Sequence, residues 1–217
     1  MVESIQLDMR TLYFLAALLI GCGGLPRLNA NARPAPPTET LAEAKRLYYE
    51  GIGGNKESIL QSKRLFSDLA LAEPGNLEVQ AYRGSLMLLE AGSTWAVWKK
   101  YELSKTGMAL LDEAVRADPS NLEVRFVRAA TTMHLPKFFS REQQSKDDLR
   151  VIAKNAKSAV QNGKLDPRIA AAGLFFYAER VATEDERKPV LEEASRLAPD
   201  SPAGKEAFAT LQKMRAK

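Results

Sequence analysis

Few residues of this chain could do chemistry. The sequence holds one cysteine, Cys22, and one histidine, His134. A single residue of each type excludes an intramolecular disulfide, a multi-cysteine zinc site and a histidine cluster. The residues around His134 suggest no second ligand and no carboxylate partner, so we expect no catalytic role for it. We therefore predict no enzymatic activity, no metal site and no cofactor.

Aromatic side chains are the first group of candidate binding residues. Trp95, Trp98 and Tyr101 are spaced by three and lie along one side of a helix. They form either a recognition face for a protein, peptide or glycan, or part of the core. We expect at least one of the two tryptophans to be core, with Trp95 the more exposed. Phe138 and Phe139 lie in an apolar connection that either closes a hairpin or forms a contact patch.

Arginines are the second group. Arg83, Arg125 and Arg128 carry guanidinium forks that suit an acidic peptide end or a carboxylated ligand. The alternative is that they form ion pairs within the chain. Asp147 and Asp148 are adjacent and so do not face each other on a helix, and we expect both to be solvated surface residues.

Composition places the chain among ordinary globular proteins. Its 217 residues are 45% hydrophobic and 27% charged, which suits one domain or at most two. The 31 basic and 27 acidic residues are interspersed, so nucleic acid is not an expected partner.

The N-terminal segment contains an apolar run that ends at the single cysteine. Residues Thr11–Gly21, directly after Arg10, contain no charged side chain. These eleven residues are far fewer than the ~20 that a helix needs to cross a bilayer. The run therefore reads as a signal-peptide core. Its last residues, Leu19 to Cys22, read LIGC and resemble the lipobox of bacterial lipoproteins.

That resemblance implies a lipid anchor. Residues 1–21 would be removed, and Cys22 would carry acyl chains that hold the mature protein on a membrane. Gly23, where an aspartate would signal inner-membrane retention, favours the outer membrane, with the protein facing the periplasm. Glu3 and Asp8 are unusual before an apolar core, so we expect translation to begin at Met9.

Residues 22–37 are predicted to be a tether. Four prolines and few large apolar side chains occur there, so the segment cannot bury enough surface to fold.

From Thr38 onward apolar residues recur at spacings of three and four, which predicts helices only. Turn signals predict eight breaks, at residues 51–55, 73–76, 91–93, 118–121, 135–137, 162–167, 182–185 and 198–202. A final helix is expected near Ala203 to Met214.

Two segments of this region repeat with an offset of 45 residues. They start at Phe66 and Leu111, and a shorter third copy starts at Leu191. Each copy has a proline that ends one helix, followed by an Asn or Ser able to cap the next. An eleven-residue excess around Ser93 to Ser104 lengthens the second helix of one unit.

These motifs resemble tetratricopeptide repeats. Leu111, Ala114 and Pro119 match the end of that repeat, and Gly84 and Ala129 match its small residue at a close helix contact. The resemblance implies that residues 38–217 form an all-α, right-handed array of antiparallel hairpins, with three to four repeats and a C-terminal helix.

The expected function is a lipid-anchored helical-repeat adaptor of the bacterial envelope that binds a protein or peptide on its concave face. The alternative is a ligand-binding lipoprotein accessory to a transporter. An open groove would favour the adaptor and a closed apolar pocket the alternative.

Overall fold

The computed structural model describes residues 37–215, and every regular element in that range is helical. The helices are α1 (Pro37–Ile52), α2 (Lys56–Ala72), α3 (Leu77–Ser93), α4 (Val97–Ala117), α5 (Leu122–Thr132), α6 (Glu142–Gln161), α7 (Pro167–Arg180), α8 (Glu184–Leu197) and α9 (Pro202–Arg215), with a 3-10 turn at Lys137–Phe139. The all-α class is thus confirmed for this range. The predictions that concern residues 1–36, Cys22 and the tether included, lie outside it.

The helices pack as four hairpins followed by a closing helix. α1 packs on α2, α3 on α4, α5 on α6 and α7 on α8, while α9 packs against both α8 and α7. First helices of neighbouring hairpins also contact one another, α3 with α5 and α5 with α7. This is the array of helical hairpins that the sequence predicted.

The repeated turns cap the helices that follow them. Asn76 Oδ1 accepts a hydrogen bond from the backbone N–H of Val79 at 3.1 Å, and Asn121 Oδ1 accepts one from Val124 at 3.0 Å. In the third copy, Ser201 Oγ accepts from a backbone N–H of the next helix at 3.0 Å. Each cap is worth about 1 kcal/mol and fixes the residue at which a helix begins. The predicted capping role of these residues is confirmed.

Two glycines bring the helices of the second hairpin into backbone contact. A Cβ placed on Gly84 would lie 2.7 Å from the carbonyl oxygen of Gly107, and a Cβ on Gly107 would lie 2.7 Å from that of Gly84. Real Cβ atoms do not approach an oxygen this closely, so only glycine fits at either position without a shift of the backbone. The close contact that the sequence placed at Gly84 is therefore present.

The first helices of the hairpins form an inner layer. Ten of the eleven residues of α5 are buried, and so are the ten consecutive residues of α7 from Ile169 to Ala178. In the second helix α8, by contrast, only Leu191 and Ala194 are buried. The core has two clusters, one in each half of the array, and Tyr49 packs against both.

We predict that Gly84→Ala destabilises the fold and that Gly75→Ala does not. The new methyl group at residue 84 must push the backbone of α4 away, which typically costs about 1–3 kcal/mol and outweighs alanine's better helix propensity. At Gly75, in an inter-hairpin turn, a Cβ meets no atom within 4 Å, so the change should stay within about 0.5 kcal/mol. Urea unfolding of both variants checks this, and equal midpoints would contradict the proposed glycine contact.

Candidate functional site

The turn between α3 and α4 presents a cluster of exposed aromatic and apolar side chains, which we call the aromatic tip: Trp95, Val97, Trp98 and Tyr101. Trp95 is 86% exposed, and Trp98 and Tyr101 are about two-thirds exposed. The two indole rings meet edge to face with centroids 6.2 Å apart. The prediction that at least one tryptophan is core is therefore wrong, whereas the more exposed position of Trp95 is as predicted.

The tip is exposed because α3, the first helix of the second hairpin, extends further than α5, the first helix of the third. Ser85 Oγ of α3 lies 2.8 Å from Thr131 Oγ1 of α5, so these residues mark the same level in the two helices. α3 continues for eight residues beyond Ser85, whereas α5 ends one residue beyond Thr131. The difference of seven residues, at ~1.5 Å each, carries α3 about 10 Å past the end of α5. The first turn of α4 therefore has no helix of the third hairpin beside it.

Lysines surround the aromatic tip. Lys63 of α2 and Lys99 of α4 both bind Glu90 near the end of α3, Lys99 at 2.9 Å. The hydrogen bonds from Lys63 and Lys99 lower the pKa of the Glu90 carboxyl. Lys105 is exposed on α4, one turn beyond Tyr101.

The connection between α5 and α6 carries the second aromatic pair. Phe138 and Phe139 lie in the 3-10 turn with ring centroids 4.4 Å apart. Phe138 is 67% exposed and Phe139 half-buried, so Phe138 does not close the hairpin. Ser140, in the left-handed region at φ 54°, ends the turn.

Two of the three candidate arginines are engaged within the chain. Arg128 donates from Nε and Nη2 to both oxygens of Asp148, at 2.7 and 2.8 Å, and Arg125 donates to the same carboxylate at 2.6 Å. Arg128 also pairs with Asp112 of α4 at 3.2 Å. The alternative of ion pairs within the chain is therefore the one that the structure shows.

Asp148 is fully buried, so the prediction that it is a solvated residue is wrong. Two guanidinium groups compensate its charge, which allows a carboxylate to lie between α5 and α6. Asp147 is exposed, as expected.

Arg83 lies apart from both other arginines. Its position is roughly 160° around α3 from Ser85, which faces α1 and α5. Arg83 therefore does not face the neighbouring first helices and is half-buried on the other side of α3.

A cluster of polar side chains that the sequence did not indicate joins the first helices of three hairpins. This inner polar cluster consists of Lys45, Tyr49, Glu78, Tyr82 and Glu123. The ammonium of Lys45 lies 2.5 Å from Glu78 and 2.6 Å from Glu123, and the Tyr82 hydroxyl donates to Glu123 at 3.0 Å. The hydroxyls of Tyr49 and Tyr82 are 2.7 Å apart. Hairpins one and three therefore touch directly across α3.

Burial raises the pKa of Glu123, and the charge of Glu78 adds to the rise, while the ammonium of Lys45 opposes it. The Lys45 ammonium group is thus the counter-charge of two carboxylates, Glu78 and Glu123, in a partly buried site. Lys45, Tyr48 and Tyr49 occur close together in the sequence, but their separation from Glu78 and Glu123 left no local pattern to detect.

A groove of about 380 Å³ lies between α8 and α9 at the end of the array. Phe208 and Leu211 form its apolar part, and Glu192, Arg196 and Arg215 carry charges along its sides. Phe208 is 56% exposed there.

Comparison of the chain with protein-family models, with curated proteins and with solved structures gives no match. Within residues 37–215, no helix is long and apolar enough to cross a membrane, and no group of three His, Cys, Asp or Glu side chains is placed to hold a metal ion.

We predict that Glu123→Gln changes how stability depends on pH. A carboxyl whose pKa is raised in the folded state binds its proton more tightly there, so stability rises as pH falls through the folded pKa. The gain is complete near the ordinary value of 4.5. The unfolding free energy of the native chain relative to E123Q should therefore increase as pH falls from 7 towards 4.5.

Chemical unfolding of both proteins across this pH range measures the difference. Glu102→Gln, at an exposed position of α4, controls for the loss of one charge and should run parallel to the native chain. A difference between native chain and E123Q that stays constant, or that decreases towards low pH, would contradict the assignment.

Proposed function

We propose that this protein is a lipid-anchored helical-repeat adaptor of the bacterial cell envelope, attached to the outer membrane and facing the periplasm. The LIGC sequence at Leu19–Cys22 and the proline-rich segment that follows it support the anchor. The repeated turns and the pairing of hairpins support a right-handed, tetratricopeptide-like solenoid as the architecture of the folded part.

We place the partner in the groove between α8 and α9 rather than on the inner face of the array. On the inner face the side chains of the inner polar cluster bind one another, with α1 reaching across α3 to α5. The groove, in contrast, is open, and its apolar part is formed by an exposed phenylalanine. This open groove is the observation that carries the adaptor proposal.

The chemistry of the groove indicates the kind of segment that it binds. Phe208, above the buried Leu211, suits the apolar side of an amphipathic helix or peptide. Arg215 and Arg196, the latter also paired with Glu193 of α8, suit carboxylates at its edge. A carrier of an apolar small molecule, the alternative function, would use an enclosed apolar cavity. We therefore propose a polypeptide partner with acidic residues beside its apolar ones.

We predict that Cys22 carries the lipid and is the first residue of the mature protein. Mass spectrometry of the protein extracted from membranes should detect a diacylglycerol-modified N-terminal cysteine. Cys22→Ala should release the protein from the membrane fraction, since two or three acyl chains anchor stably. An unmodified peptide that spans Ile20 to Leu25 as the main species would contradict the anchor.

We predict that a photoreactive amino acid at residue 208 crosslinks to a discrete protein in cells. The matched control is residue 71, because Leu71 is 85% exposed on α2, far from the groove in the sequence of hairpins. Arg196→Glu should reduce the adduct at residue 208 by reversing a charge on the groove. Identical adducts from residues 208 and 71, or none from residue 208, would contradict the groove as the partner site.

A further inference from the structure

The aromatic tip is not used by the proposed adaptor site, and its composition is that of a membrane-interface element. It contains both tryptophans of the chain, one tyrosine and one valine, all more than half exposed. Tryptophan and tyrosine favour the headgroup region of a bilayer because their rings are apolar while an N–H or O–H group still reaches water. An exposed cluster of this kind on a projecting turn is well suited to a lipid surface.

The shape of the second hairpin fits the same partner. α3 projects about 10 Å beyond the end of α5, and interfacial elements bury their apolar side to a depth of about 5–10 Å. A convex tip can enter a fluid interface without needing a complementary pocket.

Charges around the tip complement an anionic lipid surface. Four lysines and two glutamates lie on or beside the projecting part, a formal balance of 4 − 2 = +2: Lys63, Lys99, Lys100, Lys105, Glu90 and Glu102. Trp98, Tyr101 and Lys105 follow one another along one side of α4, at spacings of three and four. The two aromatic rings therefore lie nearer the end of the tip than the Lys105 ammonium group does. In this order the rings would enter the interface while the ammonium group stays at the level of the lipid headgroups.

The tether is long enough to let the tip reach the membrane that holds the proposed anchor. The contact of Tyr48 with Ser85 places these two residues at the same level of α1 and α3. Pro37 is eleven residues before Tyr48, and Trp95 is ten residues after Ser85 in the opposite direction. At ~1.5 Å per residue the two ends are about 30 Å apart. The fifteen residues from Cys22 to Pro37 span up to about 45 Å at ~3 Å each.

We propose that the aromatic tip docks into the headgroup region of a bilayer that contains anionic phospholipid. This contact goes beyond the adaptor role, and it is a second attachment in addition to the acyl chains on Cys22. The two attachments together hold the first half of the array against the membrane and leave the α8–α9 groove to the partner.

The chain offers a direct test, because Trp95 and Trp98 are its only tryptophans and all indole emission reports the tip. The full protein, purified from membranes, is reconstituted into vesicles of phosphatidylcholine with or without phosphatidylglycerol, whose acyl chains are brominated near the headgroup. We expect a blue shift of emission and strong quenching by bromine on the phosphatidylglycerol vesicles. Both effects should weaken without phosphatidylglycerol and in high salt.

Variants separate the tip from the rest of the molecule. Lys105→Glu should lower quenching on phosphatidylglycerol vesicles towards the level on phosphatidylcholine, and Leu71→Ala, exposed on α2, should leave it unchanged. Trp98→Ala should keep the native melting temperature, since the side chain is exposed, and Trp95 should still be quenched.

Flotation with the vesicles measures attachment through the acyl chains, whereas quenching measures contact of the aromatic tip with lipid. The lipid-anchor proposal and the tip-docking proposal can therefore fail separately. Emission typical of indole in water, with no quenching, would overturn the docking proposal whether or not the protein floats. Quenching that is equal on neutral and anionic vesicles would overturn the choice of anionic lipid. A blue shift that appears only when a second protein is added would assign the tip to a protein instead.

Discussion

The contact of Lys45 with Glu78 and Glu123 links the first helices of the first three hairpins. One ammonium on α1 holds a carboxylate from each of the next two first helices, and the Tyr82 and Tyr49 hydroxyls continue the network. Hairpins one and three thereby contact each other across α3 through these side chains. A partly buried ion pair of this kind is weak support for stability, but loss of Lys45 would leave two neighbouring carboxylates without their counter-charge.

Large apolar side chains remain exposed on several parts of the array, the second helix of the first hairpin included. The inner helices α5 and α7 are buried on nearly every side, and the two arginines on α5 share Asp148, with Asp112 as a second partner of Arg128. Exposed aromatic side chains remain on the turn of the second hairpin, at Phe138 in the α5–α6 connection and in the α8–α9 groove. The two proposed contacts, with lipid and with a polypeptide, thus lie where the packing leaves rings uncovered.

Local signals predicted the fold well because they act within a few residues. Proline, asparagine and serine at the repeated turns fix where helices end and begin, and the structure has these caps. Two burial predictions were wrong: Trp98 was expected in the core and is exposed, and Asp148 was expected on the surface and is buried. Both depend on which other helices cover a residue. A stripe at helical spacing shows which residues share a side of a helix, but not whether another helix covers that side. For Trp98 this depends on α5 being short, and for Asp148 on arginines twenty and more residues away.

The aromatic tip lies in a segment that differs between the repeated units. The two long copies share the turn and cap residues, which stabilise any hairpin of the array, so these positions cannot distinguish one hairpin from another. The excess around Ser93 to Ser104 has no counterpart in the third hairpin, where α5 ends after eleven residues. Trp95 and Trp98 are 86% and 67% exposed within residues 37–215, so packing inside that range does not account for two tryptophans there. Within residues 37–215 both indole rings stay largely exposed, and the proposed contact with a lipid surface would bury their apolar area.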